Sequence, residues 1–442
     1  MSDAQGQGRA RSVRLSLILA VLAALDLALG FGVQWYTLAV LGAGRATDAL
    51  FAGMAIPHIV LATVTGSLTH VLVPLLSGPD DLRNRRNAWF FFMAVGGFFA
   101  AFALVAGLAS GVLVPLVVPG FSAEEQALTR QLTCIQLVGM VFSALSSVLW
   151  SSCHARQEFL WAETSPLVGT VASLVLSVAF LRRWGVVGAA WFFVVRAALP
   201  ALLLAPSLGR FRRPHLDDPV LSEAYRRVRP LVVGSLYFRT EVLVDRALPS
   251  FAPAGGLSLF YFAQQIFSAA THVVNKAVAA PMVPLLAEHA REGRWDEFAR
   301  VYRRRLVAIV AAATGVYLAT IALGRPTFEL LFRLTGNKTE GDAKTLVTLL
   351  ACLFGWLIAS AAAGLSASAF YASGETRVPT RIGVATYTGG LGLKAAGFAF
   401  GSVYGLALGT SLYWVVYASA LAIAAGKQLR SLNTRAGGAA VA

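Results

Sequence analysis

The sequence predicts an all-α polytopic membrane protein of about 12 transmembrane helices in two parallel six-helix lobes. Three observations carry that prediction. The chain is 57% hydrophobic and only 13% charged, with a mean hydropathy of +0.67, whereas soluble domains carry roughly twice that charge. Its apolar residues fall in successive runs of about 20 or more, the length that crosses a bilayer as a helix. The runs are continuous rather than alternating, which in a bilayer selects helices over a closed barrel. Finally, one pattern occurs twice. Residues 42–76 read GAGRATDALFAGMAIPHIVLATVTGSLTHVLVPLL and residues 251–286 read FAPAGGLSLFYFAQQIFSAATHVVNKAVAAPMVPLL. Val73 to Leu76 aligns with Val283 to Leu286, and Phe51 with Phe260 after a one-residue gap.

Taken in order, the expected spans are 13–41, 47–77, 87–118, 125–152, 158–181, 185–206, 220–249, 255–287, 300–324, 343–372, 379–400 and 403–425. The first follows Arg9, Arg11 and Arg14 and is interrupted by Asp26, so it reads as an uncleaved helix rather than a signal peptide. Several spans exceed the bilayer's need, so kinks are expected, at Gly30 and Gly32 and at Pro57, Pro230 and Pro281. The polar gap 207–229 falls after the sixth span and separates lobes 1–212 and 213–442. An even number of spans per lobe makes the repeats parallel.

The formal net charge of +15 does not point to nucleic acid, because the excess lies in short loops and no soluble domain presents it. With the N-terminus inside, about 24 of the 37 Lys and Arg fall in inner segments and about 8 in outer ones, which places both termini in the cytoplasm. The inner segment 288–305, EHAREGRWDEFARVYRRR, alternates charge with Trp295, Phe298 and Tyr302. It reads as an amphipathic helix lying on the inner leaflet and touching membrane lipids. Cys134, Cys153 and Cys352 form no CxxC pair and read as small core residues. No nucleophile elbow, phosphate-cradling loop or HExxH is present, so neither an enzyme, nor a metal, nor a cofactor is expected.

Four segments carry a family resemblance: LGAGRATDALFAGMAIP (41–57) with its VPLL, VDRALPSFAPAGGLSLFYFAQQIF (244–267), VPLLAEHAREGRWDEFARVYRRRL (283–306) and AFYASGETRVPTRIG (369–383). In this order they resemble the MurJ/MviN lipid II flippases of the multidrug/oligosaccharidyl-lipid/polysaccharide (MOP) flippase superfamily. The resemblance implies two lobes around a central cleft in a bacterial inner membrane. It also implies outward movement of a polyprenyl-pyrophosphate-linked saccharide by alternating access. That cargo would be a lipid II-like peptidoglycan precursor or an exopolysaccharide unit. The alternative is a cation-coupled drug or small-molecule exporter on the same scaffold. Some family features are replaced. Leu27 and Ala28 precede Leu29-Gly30-Phe31 where an arginine is typical, and Val33–Gln34 stand at a second. His58 to Thr65 hold no Lys or Arg, and Gln264-Gln265 replace an Asp-Arg pair. The family also commonly carries two further C-terminal helices.

Ionisable groups inside spans usually face a cavity or a partner. Arg239, Glu241, Asp245 and Arg246 crowd the seventh span, where Arg239 and Arg246 are expected near one stripe; the last two alternatively neutralise each other near the outer interface. Arg239, Lys276, Arg196, Gln265 and His272 are the candidate contacts for a pyrophosphate or other anion, with Arg and Lys acting as cationic partners. Snorkelling to the surface is the competing reading for Lys276. Asp26 and Glu241 are the candidates for H+ or Na+ coupling. Asp48 is expected to cap the second span, Lys394 to anchor at the interface, and His70 to be a satisfied core group.

Overall fold

The computed structural model describes residues 2–212, 219–275, 282–334 and 340–439. Fifteen α-helices lie in that region: α1 Ser2–Leu41, α2 Arg45–Gly53, α3 Ala55–Leu76, α4 Asp81–Leu108, α5 Ser110–Val117, α6 Ala123–Ala155, α7 Phe159–Leu204, α8 Pro219–Arg239, α9 Glu241–Ala247, α10 Gly256–Val274, α11 Met282–Arg291, α12 Trp295–Leu334, α13 Glu340–Cys352, α14 Phe354–Ala372 and α15 Arg377–Ala439. No strand occurs among the described residues.

The described residues of the expected spans fall mainly on these helices, several of them on two successive helices. Both α7 and α15 hold two spans, divided by non-helical backbone at Gly185 and at Gly401–Ser402. Eight described stretches are long and apolar enough to cross a membrane, among them the two divided ones. Their outward faces keep large apolar side chains, with Phe400 94% exposed and Leu108 81%; such surface suits acyl chains rather than water.

The breaks have local causes. Pro57 has no N–H to return to the Gly53 carbonyl, and α2 ends at Gly53. The ladder resumes when the His58 N–H donates to Met54 at 3.0 Å. By contrast, α1 runs unbroken through Gly30 and Gly32, and α8 through Pro230; Pro281 lies outside the described residues. Ser122 caps α6 reciprocally, its hydroxyl accepting from the Glu125 N–H at 3.3 Å while its own N–H donates to the Glu125 carboxylate at 2.7 Å.

The chain divides into two compact units, Met1–Gly255 and Gly256–Ala442. In the first, Leu68 and Leu72 of α3, Phe91 and Phe99 of α4, Ala144 and Leu149 of α6 and Leu204 of α7 form the main core, which Ala224 of α8 joins. Thus α8 and α9 pack with the first unit, although they follow the polar gap at 207–229. In the second, Leu286 of α11, Phe298 and Tyr302 of α12, Phe370 of α14 and Leu421 of α15 form the core. The two copies of the repeat are buried alike, each in its own unit: Phe51 and Phe260 are fully buried, as are Leu76 and Leu286.

Further expectations change, among them that of Cys134 as a core residue, since it is exposed. The segment 288–305 is no free surface helix. Its residues close α11, turn at 292–294 and start α12, which continues into the next span. Phe298 and Tyr302 face the protein core, and the Tyr302 hydroxyl meets Ser366 Oγ at 2.9 Å. Lys394 is 1% exposed and therefore no interface anchor. The helix halves of α15 pack so tightly beside it that a Cβ on Gly409 would stand 3.1 Å from the Lys394 Cα. Finally, Asp48 lies within the first turn of α2 and does not cap it. The cap residue is Gly44, whose N–H donates to Thr47 Oγ1 at 3.0 Å. Asp48 instead accepts from the Gly255 N–H at 2.7 Å, 207 residues on.

Candidate functional site

In the first unit a chain of hydrogen bonds crosses three spans. Arg196, in the second half of α7, donates from Nε to Thr170 Oγ1 at 3.0 Å. Thr170, in the first half of α7, donates in turn to Asp26 Oδ1 of α1 at 2.6 Å. A hydroxyl both accepts and donates, so Thr170 is suited to stand between a guanidinium and a carboxylate. The approach depends on two glycines. A side chain on Gly30 of α1 would run into the Arg196 guanidinium, and a Cβ on Gly169 would stand 2.6 Å from the Arg196 carbonyl oxygen. The sequence places Arg196 and Asp26 170 residues apart; folding joins them through a threonine that carries no signal of its own.

Beside this chain, α3, α6 and α7 enclose a cavity of about 90 Å³. Pro57 and His58 of α3, Gln136 and Ser143 of α6, and Phe193 and Ala197 of α7 are among its lining residues. The Gln136 amide donates to the Leu50 carbonyl at 3.1 Å, which holds the end of α2 against α6. The cavity lining is mostly apolar, with His58, Gln136 and Ser143 as its polar members, and Ala197 places it next to Arg196 in sequence.

The seventh span does not present the expected polar stripe. Its helix is divided at Thr240, Arg239 at the end of α8 is exposed, and Arg246 in α9 is 5% exposed. The two arginines therefore do not share one face. Asp245 is equally buried. Glu241 is half-buried in the first turn of α9, where a carboxylate favours the helix dipole. In the second unit Gln265 is half-buried and donates to the Tyr261 hydroxyl at 3.0 Å. Lys276 lies outside the described residues, as do the side chains of His272 and His70. Arg196 and Asp26 are thus brought together among the candidates, while His58, Thr170 and Gln136 were missed. Only His58 offered a clue, as a titratable residue directly after the proline of the repeated helix.

Helices in this order also occur in solved membrane transporters. A solved lipid II flippase MurJ in an inward closed conformation superposes with a TM-score of 0.79, at 14% identity, over 95% of this chain and 90% of that one. An inward-facing multidrug resistance MATE family transporter of the MOP superfamily superposes with a TM-score of 0.76, also at 14% identity, over 93% and 99%. The family model for lipid II flippase MurJ matches residues 38–440, and the chain belongs to that family. Among relatives, a probable lipid II flippase MurJ of Buchnera aphidicola (subsp. Acyrthosiphon pisum) is 22% identical over 81% of this chain and 73% of its own. One from Bdellovibrio bacteriovorus is 24% identical over 75% and 66%. Members of the family are multi-pass membrane transporters, not enzymes.

Proposed function

We propose that the chain moves a polyprenyl-pyrophosphate-linked saccharide from the inner to the outer face of the bacterial cytoplasmic membrane. Movement is by alternating access, with lobes 1–212 and 213–442 as the moving parts and both termini in the cytoplasm. The cargo is a lipid II-like peptidoglycan precursor or an exopolysaccharide unit carried on the same lipid. The observation that supports this most is the mid-span Arg196, tethered through Thr170 to Asp26. An anionic headgroup that reaches Arg196 meets a guanidinium already oriented by Thr170, which strengthens its binding. This local group stands in for the arginines that the family typically carries in its first two spans. Gln265, His272, Arg239 and Lys276 are further headgroup contacts in this reading, and Asp26 and Glu241 are the groups that couple transport to H+ or Na+.

The deciding experiment is depletion of the protein followed by analysis of lipid-linked precursors on each membrane face. Accumulation of one pyrophosphate-linked saccharide on the inner face is expected and names the cargo. Unchanged precursors together with drug hypersensitivity would replace this reading by the exporter on the same scaffold.

A further inference from the structure

The second unit carries a basic cavity that plays no part in the proposed transport. About 420 Å³ in volume, it is lined by Asp296, Ala299, Arg300 and Arg303 of α12 and by Leu429 and Arg430 of α15. Three guanidinium groups and one carboxylate face a space floored by two apolar side chains. We propose that this cavity binds a phosphate ester at the membrane surface: the headgroup phosphate of an anionic phospholipid, or a soluble phosphate of the same chemistry.

The side of α12 that the arginines do not occupy packs against the protein core. Phe298 is 1% exposed and Tyr302 is bonded to Ser366, so the first turns of α12 are fixed in rotation and depth. Arg300 and Arg303, three residues apart, share the opposite face and are exposed. Arg430 arrives from a different helix, while the neighbouring Leu429 is buried in the same core as Phe298. The arginines therefore project from fixed backbone on two elements, unlike a run of basic residues on a mobile loop. The nearby Arg294 is engaged by Glu292 and Glu297 and stands apart from this set.

The chemistry selects phosphate. Guanidinium groups bind phosphate oxygens in pairs of parallel hydrogen bonds, and three of them match a tetrahedral anion better than a flat carboxylate. Basic pockets between helices at the cytoplasmic end of a membrane protein take lipid headgroups, and the Lys and Arg bias of the loops assigns this end to the cytoplasm. Ala299 and Leu429 supply the apolar floor that a glycerol backbone and the first methylenes of a lipid would cover. The proposal is independent of which cargo is transported.

The test uses the purified full-length protein. Phosphatidylglycerol and phosphatidylcholine retained after detergent delipidation are counted by native mass spectrometry, with inorganic phosphate as competitor. Retention of phosphatidylglycerol over phosphatidylcholine is expected. A variant carrying R300Q, R303Q and R430Q should weaken it by roughly fivefold per arginine, about a hundredfold in all. Retention that resists inorganic phosphate assigns the site to the lipid; displacement by millimolar inorganic phosphate assigns it to the soluble anion. Should the triple variant fail to fold, Asp296→Asn gives the answer from the opposite direction. Removing the carboxylate that lines the cavity should tighten phosphatidylglycerol by about fivefold. Equal retention of both lipids, a triple variant that binds like the parent, or no gain in Asp296→Asn would each overturn the proposal.

Discussion

At the scale of single residues, Arg196 has the most to explain. A guanidinium in the middle of an apolar helix is retained only where other groups satisfy it, and Thr170 with Asp26 does so here. Thr170→Val removes the hydroxyl between two charged groups. It should destabilise the protein by about 1–3 kcal/mol, read as a fall in melting temperature in detergent. Two glycines beside Arg196 separate position from stability. In Gly30→Ala the new methyl meets the tip of a long side chain that can swing away. This variant should fold normally yet lose transport, as measured by precursor accumulation, because the guanidinium is displaced. In Gly169→Ala the methyl meets the Arg196 carbonyl oxygen and the Pro200 ring. Neither can move alone, so a loss of about 1–3 kcal/mol is expected.

Among the elements, the short helix α2 is the most instructive. It is closed at one end by Gly44 and Thr47, is ended at the other by Pro57, and is tied through Asp48 to the Gly255 N–H. Gly255 itself has φ of +90°, and a Cβ there would stand 2.9 Å from the Ala43 carbonyl carbon. That conformation and that proximity both call for glycine. Asp48→Ala leaves a buried N–H without its charged acceptor and should cost about 1.5–3 kcal/mol, seen as a lower melting temperature. Pro57→Ala restores the missing donor. It should let α2 and α3 run on as one helix, slowing transport with no loss of melting temperature. A carboxylate in the ATDA turn suggests a cap by composition alone. Its bond to a residue 207 positions away is created by folding and cannot be read from the local sequence.

Over the whole molecule, the bias of Lys and Arg predicts an orientation that labelling can check. Single cysteines placed at Arg303 or Arg377 should react with a membrane-impermeant thiol reagent only after the inner face is opened. One placed at Glu124 should react in intact cells. The reverse pattern would invert the proposed direction of transport. The order of the spans, the break before Pro57 and the divisions near Gly185 and Gly401–Ser402 were legible in the sequence, whereas the kinks expected at Gly30, Gly32 and Pro230 are absent. A bilayer imposes a length and an apolar character on each span separately, but proline and glycine do not always interrupt a helix: Pro57 ends α2, while Pro74, Pro166, Pro200 and Pro326 lie inside helices.

The sequence by itself determined that this chain crosses a membrane about twelve times as a repeated set of helices, since solvation by lipid acts on each segment alone. It also carried the family, through four motifs kept in order. Only the tertiary structure decided which polar groups meet. Arg196 found Asp26 through an unremarked threonine, Arg239 and Arg246 separated onto different surroundings, Lys394 went inside, and the aromatic face of 295–302 turned to protein instead of lipid. The physical reason is that burial and pairing depend on how helices rotate about their axes and pack. That rotation is set by close contacts summed over many neighbours, which no single stretch of sequence contains.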